Sequence, residues 1–451
     1  MIISLEELRK KQHLLLFLFV ALFCTLPFQK LIKGCLGRIA SSWIPHDLPL
    51  PDYFTKTIPL YLSDLWILLF IICLGALFRS HLVCCLKQKV VITLFCFLGV
   101  SLLSILFSKA AHYPLQYVHL LHFALYPLLF AGICALYPLF GLQSLVRGFA
   151  FGLMLLGTFE ASIAILQYML QSPCGLEMLG ELHPNHFCFA KEGTTIHLFG
   201  KTATGPLMRA AGTFLHPNIL GCFLFASSLS TLYLKRTSGF LVLFFLQWMG
   251  LFATFSRSAL LATAIAFPLF LALLAYKKMI PRYLFIKLGT LFVCLVLIFL
   301  PALKSRGGIF SYEGTVKAAD QERIHYNKIA LNLLQEHPWF GVGHNNFQLY
   351  SSYTDPSMPG HTFFSKVHNI YLLVASETGL LGLGCFLFFL FQLFFPLAQN
   401  WTLERIFLFS LFLGLLLIGG CDFFLLYSAP ACVLFFSTAS LLFLSKQRSF
   451  L

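Results

Sequence analysis

The sequence predicts an all-α polytopic membrane protein with about twelve transmembrane helices and a large external loop that itself contains helices. Three observations predict it. Of 451 residues, 59% are hydrophobic and 11% are charged, where a soluble domain carries roughly 25% charged residues. Apolar runs of the ~20 residues that cross a bilayer recur from one end of the chain to the other. The basic residues alternate in density from one inter-span segment to the next, as they do in multi-pass chains.

The expected spans fall near 13–31, 58–78, 90–108, 117–140, 148–170, 214–234, 238–255, 258–276, 284–302, 368–395, 405–425 and 427–445. The first resembles a secretory signal but lacks a small-x-small cleavage site, so it reads as a retained helix. A cytoplasmic N-terminus puts Arg9, Lys10 and Lys11, then Arg79, Lys87 and Lys89, Arg147, Lys235 and Arg236, Lys277, Lys278 and Arg282, Arg405, and finally Lys446 and Arg448 on the cytoplasmic side. The short loops opposite hold only Lys109 and Arg257. Both termini are therefore expected in the cytoplasm.

This organisation divides the chain into N-terminal spans at 1–170, an external loop at 171–213, a core at 200–395 that includes a second external loop at 303–367, and C-terminal spans at 396–451. A third external segment covers 32–57. Within the second loop, Lys317–Glu336 reads as a helix, ended by His337-Pro338 and then Gly341 and Gly343, because proline cannot continue a helix and glycine permits the turn.

The net charge of +14 does not point to nucleic acid, since basic residues here anchor cytoplasmic loops. Of the 14 cysteines, most lie in apolar runs, among them Cys73, Cys96, Cys294, Cys385 and Cys432, where cysteine behaves as a small hydrophobe. Only Cys174 and Cys188 share an extramembrane segment where pairing could occur. His183, His186, Cys188 and His197 fit no established metal-site spacing. No P-loop, dinucleotide fingerprint or nucleophile elbow appears, so no cofactor or metal is expected.

Four places on the external side carry chemistry. Arg209, His216 and Asn218 lie where a loop enters a span, in R-A-A-G-T-F-L-H-P-N; an interfacial anchor with a helix cap explains them equally well. Arg257, in Phe255-Ser256-Arg257-Ser258, interrupts an apolar stretch. A charge at bilayer depth costs at least ~2.5 kcal/mol and needs a partner, water or an interface. Arg323, Tyr326, Asn327 and Ala330 share one helical face by three- and four-residue spacing, and a solvated surface helix accounts for Arg323 equally well. His368 and Asn369 open a long span that also carries Glu377, and Asp422 reads as the remaining intramembrane charge, expected to pair with a basic group or to mark a proton path. Arginine grips phosphate oxygens with two parallel donors and keeps its charge. Arginines beside a histidine at a lipid surface suit a lipid-borne pyrophosphate.

These segments, in order, resemble the O-antigen ligase and O-antigen polymerase superfamily. The resemblance rests on R-A-A-G-T-F-L-H-P-N, F-S-R-S, E-R-I-H-Y-N-K-I-A-L, H-P-W-F-G-V-G-H-N-N-F and H-N-I-Y-L-L-V-A-S-E-T-G-L-L-G, over roughly residues 200–385. It implies a GT-C-like bundle that takes a glycan from an undecaprenyl-pyrophosphate carrier without nucleotide sugar or metal. The implied catalytic residues are Arg257, Arg323 and His368; Arg209, Asn218, Tyr326, Asn327, Asn369, Glu377 and Asp422 are expected around the substrate. The implied setting is the periplasmic face of the inner membrane among membrane lipids. The implied acceptor is the lipid A-core of lipopolysaccharide, with a polymerase or a protein O-oligosaccharyltransferase as the alternative. A transporter or flippase of a lipid-linked anion is the reading from another class. It would show internal repeats and broken helices near the midplane, and none is evident. The chain departs from the family in its long loop 171–213, with a second His-Pro-Asn at His183–Asn185.

Overall fold

The computed structural model of the protein describes residues 5–26, 62–108, 114–181, 188–189, 195–198, 201–204, 207–234, 240–279, 282–306, 315–351, 366–395 and 401–446. External segment 32–57 and His183–Asn185 lie outside the described residues, as does His186. Helices dominate. In chain order they are α1 (Leu5–Cys24), α2 (Leu62–Leu77), α3 (Arg79–Leu86), α4 (Lys89–Leu106), α5 (Pro114–Leu170), α6 (Pro217–Leu234), α7 (Phe240–Ala253), α8 (Arg257–Tyr276), α9 (Arg282–Arg306), α10 (Thr315–Glu336), α11 (Phe347–Ser351), α12 (Ile370–Phe394), α13 (Leu403–Gly419) and α14 (Ala429–Leu444).

The all-helical expectation needs one amendment. Four short strands stand between α5 and α6: β1 (Cys188–Phe189), β2 (Thr195–Leu198), β3 (Lys201–Thr204) and β4 (Leu207–Met208). β1 pairs antiparallel with β4, and β2 with β3. Cys174 is a free thiol, so the pairing considered for it is not made.

Five helices among the described residues are long and apolar enough to cross a membrane, namely α4, α5, α6, α8 and α12; there are six if α2 and α3, bent by 110° at their junction, form one span. Four shorter apolar stretches accompany them, at Lys11–Cys24, Phe240–Ala253, Ile286–Leu300 and Ala429–Leu444. This is the architecture of a polytopic membrane protein. α5 is the axis of the bundle, packing against α1, α3, α4, α6, α7 and α14. Its 57 residues break at Gly141, whose φ of 68° and ψ of 161° are not helical. The break falls between the two spans expected there.

Polar contacts inside the bundle join one helix to another. Gln247 on α7 donates to the Thr158 hydroxyl on α5 at 3.1 Å and accepts from Thr231 of α6 at 2.8 Å. Away from water, such groups must find one another.

A second, smaller core joins α10, α11 and α12 through Tyr326, Ile329, Leu333, Phe347, Val367 and Leu373. α10 begins two residues before the expected helix and ends at Glu336, as its His-Pro stop dictates. The turn that follows docks into a break in α12 at Gly379. Val342 and Gly343 donate to the carbonyls of Ser376 and Glu377 at 3.0 and 2.9 Å, and Leu380 donates to Pro338 at 2.7 Å. Gly379 has a φ of +68°, and a methyl group there would strike the Trp339 carbonyl. The H-P-W-F-G-V-G and S-E-T-G segments are thus two sides of one backbone joint.

Candidate functional site

The site gathers where α6, α8 and α12 begin, beside the middle of α10. Arg257 is the first residue of α8. Phe255 takes a φ of 49° at the preceding turn, and Ser256 caps the helix by accepting from Ala259. The apolar stretch that Arg257 interrupts is therefore two helices, and the arginine marks the junction. Arg209 reaches this junction from the preceding loop. Its Nε donates to the Thr254 carbonyl at 2.9 Å and its Nη2 to Asn218 Oδ1 at 2.7 Å.

The loop holding Arg209 is fixed by α5. Gln167 Oε1 accepts from the amides of Ala211 and Gly212 at 3.1 and 2.9 Å. Glu160 accepts from the amide and the hydroxyl of Thr213 at 2.9 and 2.5 Å. Gly212, with a φ of +60°, passes so close to the Glu160 carboxylate that a methyl group would collide with it. Asp422 was thus not the remaining charge among the spans: Glu160 is fully buried on α5. Nor does Asp422 lie inside a span. α13 ends at Gly419, and Asp422 occupies the turn that follows.

From that turn Asp422 organises the other half of the site. Its Oδ2 accepts from Asn218 Nδ2 at 2.7 Å, and its Oδ1 lies 3.2 Å from His368 Nδ1. Burial by itself would raise the Asp422 carboxyl. The hydrogen bond from His368, the charges of His368 and His216, and the Asn218 amide outweigh it and hold the group down at about 2. His216 accepts from the Asn218 amide through Nδ1 at 3.0 Å. Burial, and then Arg209 beside it, push His216 down to about 3, so its ring is neutral at working pH.

Arg209 lies within electrostatic reach of the other two arginines. Burial lowers Arg209 to about 10 against the pull of Asp422, and both Arg323 and Arg257 contribute to the lowering. Arg323 also acts on His216. Arg257 is held by Asp320 of α10, Nη2 to Oδ1 at 2.5 Å and Nη1 to Oδ2 at 3.1 Å. Among the described residues Arg323 has no hydrogen-bond or ion-pair partner. One turn further along α10, Asn327 Oδ1 is buried without a donor.

Arg209, Asn218, Arg257, Arg323, His368 and Asp422 therefore come together, with Asn327 on the same face of α10 as Arg323. The remaining expected residues make contacts within the protein. Tyr326 is packed in the second core. Asn369 caps α12, accepting from the amides of Tyr371 and Leu372 at 2.9 and 3.1 Å while donating to Gly420 O at 3.2 Å. Glu377 accepts from the amides of Asn345 and Phe347 at 2.9 and 3.2 Å, from the Tyr427 hydroxyl, and faces Lys366 Nζ at 3.6 Å.

Residues 242–387 match the O-antigen ligase family. This match, over about a third of the chain, supports the O-antigen ligase superfamily. The match contains Arg257, Arg323 and His368, the three residues that open α8, ride on α10 and precede α12. Arg209, Asn218 and Asp422 lie outside the ligase domain as matched, and the structure adds them through hydrogen bonds. No curated protein matches the chain.

Sequence reasoning missed Asp320, Glu160 and Gln167. Asp320 had a readable signal: it lies three residues before Arg323 on an expected helix, and Arg257 required a partner. Glu160 and Gln167 lay within an expected span, where polar groups need a satisfied neighbour.

Proposed function

We propose that this chain is an inner-membrane glycan transferase. It moves an undecaprenyl-pyrophosphate-linked oligo- or polysaccharide onto an acceptor hydroxyl at the periplasmic face, as an O-antigen ligase with a lipid A-core acceptor. The observation that carries this reading is the gathering of Arg209, Arg257 and Arg323 around the His368–Asp422 pair. Among the described residues, three guanidiniums against the carboxylates of Asp320 and Asp422 leave net positive charge to be met by an anion. A diphosphate is suited to it, because its oxygens pair with the planar fork.

The reaction is a direct displacement with inversion. The acceptor oxygen forms a bond to the anomeric carbon as the bond to the pyrophosphate oxygen breaks, and the leaving group departs with the electron pair. Arg323 and Arg257 stabilise the charge that grows on that oxygen, as fixed cations in a partly dry site. His368 receives the acceptor proton through Nε2. Asp422 on Nδ1 sets the tautomer and balances the imidazolium that forms. The guanidiniums supply the positive charge that a metal ion supplies in other pyrophosphate chemistry. Asn218 and Arg209 keep Asp422 and the loop in register, and Asn369 and Glu377 are assigned to the framework.

The test is transfer by purified protein in detergent, with carrier-linked glycan and defined acceptors and no ion gradient. Glycan joined to lipid A-core supports the ligase. Glycan joined to a second carrier-linked repeat turns the assignment to a polymerase, and glycan joined to serine turns it to a protein glycosyltransferase. Absence of any joined product, with donor crossing liposomes instead, supports a flippase and overturns the reading.

A further inference from the structure

Arg257 and Asp320 meet fork to carboxylate. The two contacts, 2.5 and 3.1 Å, run in parallel from Nη2 and Nη1 to the two carboxylate oxygens. The side chains are 35% and 24% exposed, so the pair lies at the margin of the site and solvent reaches it. This is also the geometry in which arginine grips a phosphate. A diphosphate that engages Arg257 through the same two nitrogens must therefore take the position of the Asp320 carboxylate.

The position of Asp320 on α10 adds to this. It precedes Arg323 by three residues, so the two lie on neighbouring positions of one helical face. α10 thus presents to the site one group that competes with an anion and one that attracts it. Arg209 registers the charge of both Arg257 and Arg323. Removing the carboxylate raises the like-charge repulsion among the three, and an incoming anion relieves it. The exchange of one bidentate anion for another leaves Arg257 paired on either side of the equilibrium.

We infer that Asp320 is an intramolecular competitor of the donor diphosphate at Arg257, and that it sets donor affinity and promotes release of the pyrophosphate product. The inference rests on the arginine-site reading above. When donor binds, Asp320 yields Arg257; when the glycan has left, Asp320 retakes it and displaces the carrier pyrophosphate. A residue that merely held Arg257 in position has the opposite signature, since its loss weakens donor binding.

The experiment is calorimetric titration of the full-length protein in detergent with inorganic pyrophosphate. It compares wild type with Asp320→Asn, Asp320→Ala, Asp320→Glu, Arg257→Ala and Arg323→Ala. The expected result is pyrophosphate binding about twofold to fivefold tighter in Asp320→Asn and Asp320→Ala, the range for a partly exposed charge pair. Asp320→Glu keeps the carboxylate and binds as wild type. In turnover, Asp320→Asn lowers donor KM and strengthens product inhibition by pyrophosphate by a similar factor. Equal or weaker pyrophosphate binding in both the Asn and Ala variants overturns the inference. If Arg257→Ala and Arg323→Ala bind pyrophosphate as wild type does, the arginine-site reading itself fails. If those two lose binding while the Asp320 variants do not gain it, only the competitor role fails.

Discussion

Two polar clusters are built on the same set of loops, and they are built differently. One gathers Arg209, Arg257 and Arg323 with His368 and Asp422. The other gathers Glu377 and Lys366 with Asn345 and Tyr427. In the second, every charge is answered. Lys366 Nζ donates to Asn345 Oδ1 at 2.5 Å, faces Glu377 at 3.6 Å and lies 3.5 Å over the Tyr427 ring. Glu377 closes two backbone amides besides. In the first cluster three guanidiniums face two carboxylates, and Arg323 has no partner among the described residues. A saturated buried network specifies a structure. An unbalanced one is held in place by its surroundings and leaves charge for a ligand. Lys366, Val367, His368 and Asn369 link the two: the lysine bonds to Asn345, the asparagine caps α12, and His368 between them pairs with Asp422.

The sharpest way to test that division is at its two extremes. Arg323→Ala should lower glycan transfer by about 10²–10³-fold, the cost of removing one fixed donor to developing charge. Its level in the membrane should be unchanged, because no hydrogen bond or ion pair among the described residues is lost. Arg323→Lys should recover little of this activity, since a point charge does not reproduce the fork. Full transfer by either variant places Arg323 with the framework.

Asp422→Asn comes next. It should lower the rate by about 10²-fold, with donor KM near the wild-type value, because it releases the His368 tautomer without touching the arginines. The pH profile adds a second reading. The folded value of Asp422, about 2, lies below its ordinary value of 3.8. Its contribution to stability is therefore complete above pH 3.8 and lost only as pH falls toward 2. Between pH 5 and 8 no inflection in thermal stability should arise from this group, and one that disappears in Asp422→Asn contradicts the assignment.

On the framework side the reverse pattern is expected. Gly379→Ala must carry a φ of +68° and meet the Trp339 carbonyl, which together cost about 1–3 kcal/mol or more. The yield and detergent melting temperature of the protein should fall, while the fraction that stays folded keeps the wild-type donor KM. A variant with normal melting and a raised KM makes the joint part of the site.

The smallest effect concerns Lys366. Burial lowers it from 10.5 to about 8 against the pull of Glu377. Its folded value is the lower one, so between pH 8 and 10.5 the unfolded chain binds more protons. Stability from this group rises with pH across that window. Wild-type protein should show a slight gain in melting temperature relative to Lys366→Met between pH 8 and 10. Parallel curves for the two proteins contradict the buried charge.

The sequence made the site more legible than the framework. Arg257 announced itself because a charge inside an apolar stretch needs a reason, and the reason proved to be a helix start. Spacing put Arg323 and Asn327 on one helical face, and only the family resemblance gave Arg323 a role. The stop of α10 was written in His337-Pro338 and the glycines after it. What stayed hidden was pairing across the chain. Glu377 reads like a site residue because it is charged and follows His368 on one helix; its role is decided by Asn345, Lys366 and Tyr427, which periodicity cannot bring together. Asp422 read as intramembrane because Gly419-Gly420 is too short a signal to end an apolar run. The spans proved equally uneven. α5 broke at Gly141, where two spans were expected, while several apolar helices came out shorter than a bilayer crossing.

The central claim, that the arginine cluster receives a diphosphate and the Glu377 cluster does not, is met most directly by one equilibrium measurement. Binding of the carrier-linked pyrophosphate donor would be compared in purified wild type, Arg323→Ala and Glu377→Gln, with melting temperature recorded on the same samples. At least about tenfold weaker binding is expected in Arg323→Ala at unchanged melting temperature. Glu377→Gln should melt at a lower temperature, with wild-type binding by the folded fraction. Donor binding that survives in Arg323→Ala and is lost in folded Glu377→Gln would contradict the claim.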